Sequence, residues 1–202
     1  MPHSPLTRTT LTRAALGVAL ALVASAAAAH TGEGVTGGFL SGFTHPILGW
    51  DHVIAMVAVG LWGAFLGAPA IWLLPIVFPL VMAFGGALGV MGIPIPAVET
   101  GIALSGVVLG LLIAFAVKAE LWIAAVIVAI FAIFHGHAHG TELPEAANPF
   151  AYAVGFVIGT GLLHLCGIAL GLLTKLPWGT YAIRAAGVVI AAIGGAFLAG
   201  IA

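Results

Sequence analysis

The sequence predicts an all-α membrane protein, a bundle of six transmembrane helices behind an N-terminal signal peptide. Three observations predict it. Of 202 residues, 62% are apolar and only 5% are charged, against about a quarter charged in soluble domains. Mean hydropathy is +1.26. The apolar residues gather in stretches of about 20, the length that crosses a hydrocarbon core. Five Lys+Arg and six Asp+Glu are too few to solvate a globule of this size. That excludes an ordinary cytosolic enzyme, a nucleic-acid binder and a disordered chain. A net charge of -1 implies no polyanionic partner. One cysteine, Cys166, excludes an internal disulfide framework and a thiolate-only metal site.

Residues 1–29 read as a cleaved signal peptide. Arg8 and Arg13 give the basic start, Leu16 to Val23 the short apolar core, and Ala27-Ala28-Ala29 the small-residue cleavage site. An uncleaved first span is the alternative, but the apolar run is short and Ala-rich. Cleavage leaves His30 at the mature N-terminus, outside the cytoplasm. Residues 30–202 then form one transmembrane domain.

Six apolar segments follow, at 46–67, 70–91, 97–117, 121–139, 149–173 and 179–201. Pro46 suits the first turn of the first, where its missing N–H costs nothing. Pro75 and Pro79 fall inside the second and are tolerated where neighbours satisfy the freed carbonyls. Glu99 stands at the start of the third, where the helix dipole favours an acid. The connections are short, which predicts an up-down antiparallel bundle. With the N-terminus outside, Lys118, Lys175 and Arg184 all fall on the cytoplasmic side, as the positive-inside rule expects. Glu33, Glu99, Glu142 and Glu145 fall on the other side. Both termini of the mature chain are then periplasmic, in a bacterial inner membrane. Trp50, Trp62, Trp72, Trp122 and Trp178 fit interfacial belts. Glycines four apart (63/67, 85/89, 106/110, 155/159 and 167/171) read as close helix packing. Gly101, Gly159 and Gly161 could also leave room for a path.

The chemistry lies in histidine, of which there are 8. Polar groups inside a span are costly and usually functional. In His45-Pro46-x-x-Gly49-Trp50-Asp51-His52 a regular helix places His45 and His52 within about 20° of one another, two turns apart. Asp51 stands beside them and needs a partner, which His52 or a bound cation supplies. In Phe134-His135-Gly136-His137-Ala138-His139-Gly140-Thr141-Glu142, His135 and His139 share a helix face, and Glu142 extends it if the helix continues. Gly136 and Gly140 could instead end the helix there. His137 points elsewhere. Imidazole nitrogen with carboxylate oxygen suits Ni²⁺, Co²⁺, Zn²⁺ or Cu²⁺. The spacing is not the H-E-x-x-H of a metalloprotease. His164 lies deeper, in the fifth segment. A hydrogen-bonded interhelical role is its plainer reading, and the other is a late step in a descent from surface ligands through Asp51 and His52.

The strings His45-Pro46-x-x-Gly49-x-Asp51-His52-x-x-Ala55-Met56-x-x-x-Gly60-x-Trp62 and Phe134-His135-Gly136-x-Ala138-His139-Gly140-x-Glu142 resemble those of the HupE/UreJ nickel permeases. The resemblance extends over the whole mature chain. It implies a secondary transporter moving Ni²⁺, in some members Co²⁺, toward the cytoplasm for hydrogenase or urease maturation. It implies metal roles for His45, Asp51, His52, His135, His139 and Glu142. His137 falls inside the second string, and His30 is similar to a histidine that family members carry near the mature N-terminus.

No G-x-x-x-x-G-K-[ST] loop is present, so the chain is not expected to hydrolyse ATP. It is read as a transporter rather than an enzyme. No resident cofactor is expected; the metal is cargo, the bilayer is the other partner, and no nucleic acid is involved. Three rivals stand beside this reading: a membrane metal sensor or chaperone, a redox subunit with haem between two histidines such as His52 and His164, and an intramembrane hydrolase using Ser105 and His164. The last lacks G-x-S-x-G around Ser105. The identity of the metal, proton coupling and the oligomeric state stay open.

Overall fold

A computed structural model describes residues 38–142 and 148–201 of the chain. The expected leader at 1–29, with His30, Glu33 and Glu145, lies outside the described residues. Every element described is a helix. In order they are α1 (Phe39–Leu48), α2 (Trp50–Leu66), α3 (Ala70–Val90), α4 (Val98–Ala114), α5 (Leu121–Thr141), α6 (Pro149–Gly171), which runs on as a 3-10 turn (Leu172–Lys175), and α7 (Gly179–Leu198). Four of these are long and apolar enough to cross a membrane: α3, α5, α6 with its 3-10 turn, and α7. α1 and α2 pass that test only together, and α4, at 17 residues, is shorter.

The first segment departs from expectation. A single helix over 46–67 is predicted, with Pro46 in its first turn. Two helices form instead and meet at 81°, and Pro46 lies inside α1. The break is at Gly49, whose backbone is extended (φ -84°, ψ 109°). Its N–H closes α1 onto the His45 carbonyl at 3.3 Å. Immediately after it, the Asp51 carboxylate accepts the backbone N–H of His52 at 2.9 Å and holds the first turn of α2. The side chain of Asp51 thus competes locally with a continuous helix, as short acidic residues do. At the fifth segment, Asn148 accepts from the N–H of Ala151 at 3.1 Å and Pro149 opens α6, a start suited to both residue types.

Helix pairing also differs from a simple up-down bundle. Consecutive long helices reverse direction, but the most extensive interfaces join α3 with α5, α4 with α7, and α1 and α2 with α6. α3 and α5 run the same way: Gly136 lies against the Met82 carbonyl and Gly140 against that of Gly86. α2 and α6 do too, with Gly60 on the His164 carbonyl and Gly171 on Leu61 and Ala64. α4 and α7 are antiparallel, Gly106 facing Gly194 and Gly110 facing Gly187. Small residues allow these backbones to touch, and van der Waals contact then drives association in lipid. Of the predicted glycine pairs, 63/67 is the exception at its second member. Gly67 has φ +85° with open space around it, and it terminates α2. Gly101 and Gly159 are filled, by the Phe134 ring and by Phe43 with Pro46, and only Gly161 faces open space.

The core holds Trp62, Phe78, Met56, Leu61, Leu74 and Leu109, all fully buried. The outward faces are just as apolar: Trp72, Ile76, Leu80 and Phe84 form an exposed stripe along α3. Trp72, Trp122 and Trp178 are exposed near the starts of α3, α5 and α7, at one end of the bundle. Trp62 corrects the belt reading. It is wholly buried, and its indole N–H donates to the Val117 carbonyl at 3.1 Å, which satisfies the polar edge without an interface. At this same end Arg184 donates to the Ala114 carbonyl, a free acceptor at the end of α4, at 2.8 Å. Lys118 and Lys175 follow α4 and α6 there, and Glu99 and Glu142 stand at the opposite end.

Candidate metal centre

Four imidazoles from three helices converge at the Glu99 and Glu142 end. α1 supplies His45, α2 supplies His52, and α5 supplies His135 and His139. On a straight helix the seven residue steps from His45 to His52 would separate them by about 10 Å along the axis. The bend at Gly49 folds them together, and their ring centroids lie 6.0 Å apart. His139 sits 4.7 Å from His45 and 4.4 Å from His52, and His135 sits 5.0 Å from His52. Ligand atoms of His45, His139 and Glu142 all lie within 4.8 Å of one another. Two donors bound to one transition ion at about 2.1 Å are at most about 4.2 Å apart, so small side-chain rotations close such a site.

The second motif works because α5 does not stop at its glycines. The helix runs through Gly136 and Gly140 to Thr141. His135 and His139 then form one face. Gly136 and Gly140 form the next, where a β-carbon would strike the backbone of α3. His137 leaves by a third direction, and its Nε2–H donates to the Ile93 carbonyl in the α3–α4 connection at 2.8 Å. The structure therefore places His137 as a tie between α5 and that loop, outside the row of imidazoles.

Hydrogen bonds fix where the lone pairs are. His52 donates through Nδ1–H to Asp51 Oδ1 at 2.8 Å. Its Nε2 is buried without a hydrogen-bond partner among the described residues. Asp51 thus stands behind His52 as an orienting carboxylate, an arrangement that fixes the tautomer of metal-binding imidazoles. His135 is held likewise by a different group. Ser105 donates its hydroxyl to the Ile102 carbonyl at 2.6 Å, so the contact of 3.0 Å with His135 Nε2 must be donated by the ring. The proton is on Nε2, and Nδ1 is left as a buried lone pair without a partner among the described residues. Neither nitrogen of His139 has one either. Phe156 packs against the His139 ring at 4.4 Å, and Tyr152 and Phe156 flank His45 at 6.2 Å each. The result is an N-rich, partly carboxylate site in an apolar wall, suited to a borderline divalent ion.

His164 is separate from this group. The Phe78 ring touches both, 5.6 Å from His135 and 5.4 Å from His164. Ser105, the nucleophile beside His164 in the hydrolase reading, is hydrogen-bonded to His135 instead. Sequence reasoning missed Ser105 as the partner of His135, because 30 residues and a helix change separate them. It missed Phe78, Tyr152 and Phe156 as walls for the same reason. It also passed over Thr160, although the four-residue spacing to His164 was there to read.

Comparison with known proteins gives the family. The chain matches the family described as HupE / UreJ protein over residues 18–197. It is 47% identical over 182 residues to Protein HupE of Rhizobium leguminosarum bv. viciae, covering 90% of this chain and 95% of that protein. No solved structure matches. With its apolar helices, the chain is a membrane protein, and it belongs to the HupE/UreJ family.

Proposed function

We propose that this protein is a secondary transporter carrying Ni²⁺, and with it Co²⁺, through a bundle of six membrane passages toward the cytoplasm, where the metal serves hydrogenase or urease maturation. The observation that carries the reading is the set of buried imidazole lone pairs of His52, His135 and His139 beside His45 and Glu142. Membership of a family associated with nickel permeation supports it. The six passages are α1 with α2, then α3, α4, α5, α6 and α7. The positive-inside rule puts the end bearing Lys118, Lys175 and Arg184 in the cytoplasm and the histidine end in the periplasm.

The chemistry follows from the order of the groups. Glu142 and His45 stand at the mouth and take the ion from water. His139, His52 and His135 replace its remaining hydration with neutral nitrogens, so it enters the apolar interior in steps rather than by one large desolvation. The driving force needs no nucleotide. A divalent cation gains about 4.6 kcal/mol per 100 mV on moving inward through a negative-inside potential.

The test is ⁶³Ni²⁺ uptake into proteoliposomes with an imposed inside-negative potential. Saturable uptake is expected, competed by Co²⁺ and not by Mg²⁺, and lost in His139→Ala and His135→Ala. Uptake by correctly folded protein no greater than in empty liposomes would overturn the transport reading.

A further inference from the structure

The outer cluster leaves one buried imidazole unused. His164 is 2% exposed, and neither of its ring nitrogens has a hydrogen-bond partner among the described residues. Thr160, four residues earlier on α6, is 0% exposed, and its hydroxyl oxygen lacks a partner in the same way. The i, i+4 spacing puts both on one face of the helix. Other threonines here do otherwise: Thr44, Thr141 and Thr174 turn their hydroxyls onto carbonyls one turn back, at 2.9, 2.8 and 2.9 Å. Thr160 does not take that easy bond. Three unsatisfied polar atoms on one buried face are costly in a packed interior, and they mark a place built to receive something polar.

We propose that His164 and Thr160 form a second, inner station for the transported divalent transition-metal ion, beside the Phe78 ring, which also touches the outer cluster. The proposal rests on the transport reading above. The position is fixed by backbone. α6 is pressed onto α2 at this level, where Gly60 lies against the His164 carbonyl and Gly167 against that of Val57. The same face of α6 reads Phe156, Thr160, His164. Phe156 touches His139, and the face therefore runs inward from the outer cluster. Phe78 touches a ring of each station. A cleft of about 370 Å³ between α3 and α6 opens beside His164 at Gly161, so the ring is not walled in on that side. One imidazole and one hydroxyl hold a divalent ion more weakly than several imidazoles with a carboxylate. A descending ladder of affinity is what lets an ion leave a site it was able to enter.

The test places a reporter ligand at the station. Cys166 is the only cysteine in the chain and faces outward, so Cys166→Ser gives a thiol-free background. In it, His164→Cys puts one thiolate at the inner station, and purified protein in nanodiscs is titrated with Co²⁺. A saturable thiolate-to-cobalt charge-transfer absorption is expected, absent from the background and from Leu165→Cys, the lipid-facing neighbour. No such band, in protein that still binds Co²⁺ by equilibrium dialysis and loses it in His139→Ala, would overturn the inner station and leave the transport reading standing. Failure of the intact chain either to bind Co²⁺ or to take up ⁶³Ni²⁺ would overturn both. In the wild-type cysteine background, His164→Gln and Thr160→Val should lower kcat for ⁶³Ni²⁺ uptake about tenfold or more. KM and equilibrium Ni²⁺ affinity should stay within about twofold. An unchanged kcat in both variants, or loss of outer-cluster affinity with it, tells against the station.

Discussion

Ser105 shows how one hydroxyl decides the chemistry of a neighbour. It spends its proton on the Ile102 carbonyl and so can only accept from His135. Ser105→Ala removes that acceptor, frees the ring to hold its proton on either nitrogen, and strands a buried N–H. Nickel affinity should fall about 10- to 100-fold, the usual cost of losing an orienting partner. Ser105→Thr should restore much of it. In ¹⁵N-histidine-labelled protein, His135 should give the Nε2–H tautomer in the wild type and a mixture in the alanine variant. An unchanged tautomer with unchanged affinity would show that packing alone orients the ring. Asp51 does for His52 what Ser105 does for His135, with a formal charge added. The two partners were unequally legible. Asp51 is the sequence neighbour of His52 and declared itself, whereas Ser105 reaches His135 only after α4 and α5 have packed.

Among the helices, α5 states the rule of the motif most clearly. Histidine and glycine interleave because one face carries the imidazole row and the next face packs. A β-carbon on Gly136 would overlap the Met82 carbonyl, and a backbone cannot step aside as a flexible side chain can. Gly136→Ala should therefore cost about 1–3 kcal/mol of stability, read as a lower unfolding temperature in detergent, while Gly161→Ala, which meets open space, should leave it unchanged. Equal effects from the two would refute the packing account. Helix positions were readable from apolar stretches of bilayer length, and most boundaries fall within a few residues of those expected. The break at Gly49 was not readable, because a glycine in an apolar run looks the same whether it packs or bends. What decides is Asp51 turning back onto the N–H of His52. Pairing of parallel helices was hidden for a similar reason: loop length constrains sequential neighbours only, and these interfaces join helices that are not sequential.

For the whole molecule, the arrangement of charge and imidazole predicts a pH response. Histidine binds metal through a neutral nitrogen, so protons and Ni²⁺ compete for the same lone pairs. A protonated cluster also repels a divalent cation. Uptake should be greatest at neutral pH and fall on acidification, with KM rising before kcat changes. A rate unchanged down to the pH at which the protein unfolds would count against histidine ligation. The bend between α1 and α2 has a further consequence, for the lipid. α2 and α4 have 17 residues each, a rise of about 25 Å against a hydrocarbon core of about 30 Å. Bent at 81° from α2, α1 lies along the start of α6, where Gly155 and Gly159 meet Phe39, Phe43 and Pro46. No residue of α2 is exposed, so lipid does not border it and its short length sets no mismatch with the bilayer. His52 is therefore lined by protein rather than by acyl chains, and the bundle, not the thickness of the bilayer, sets the barrier that a cation would meet there.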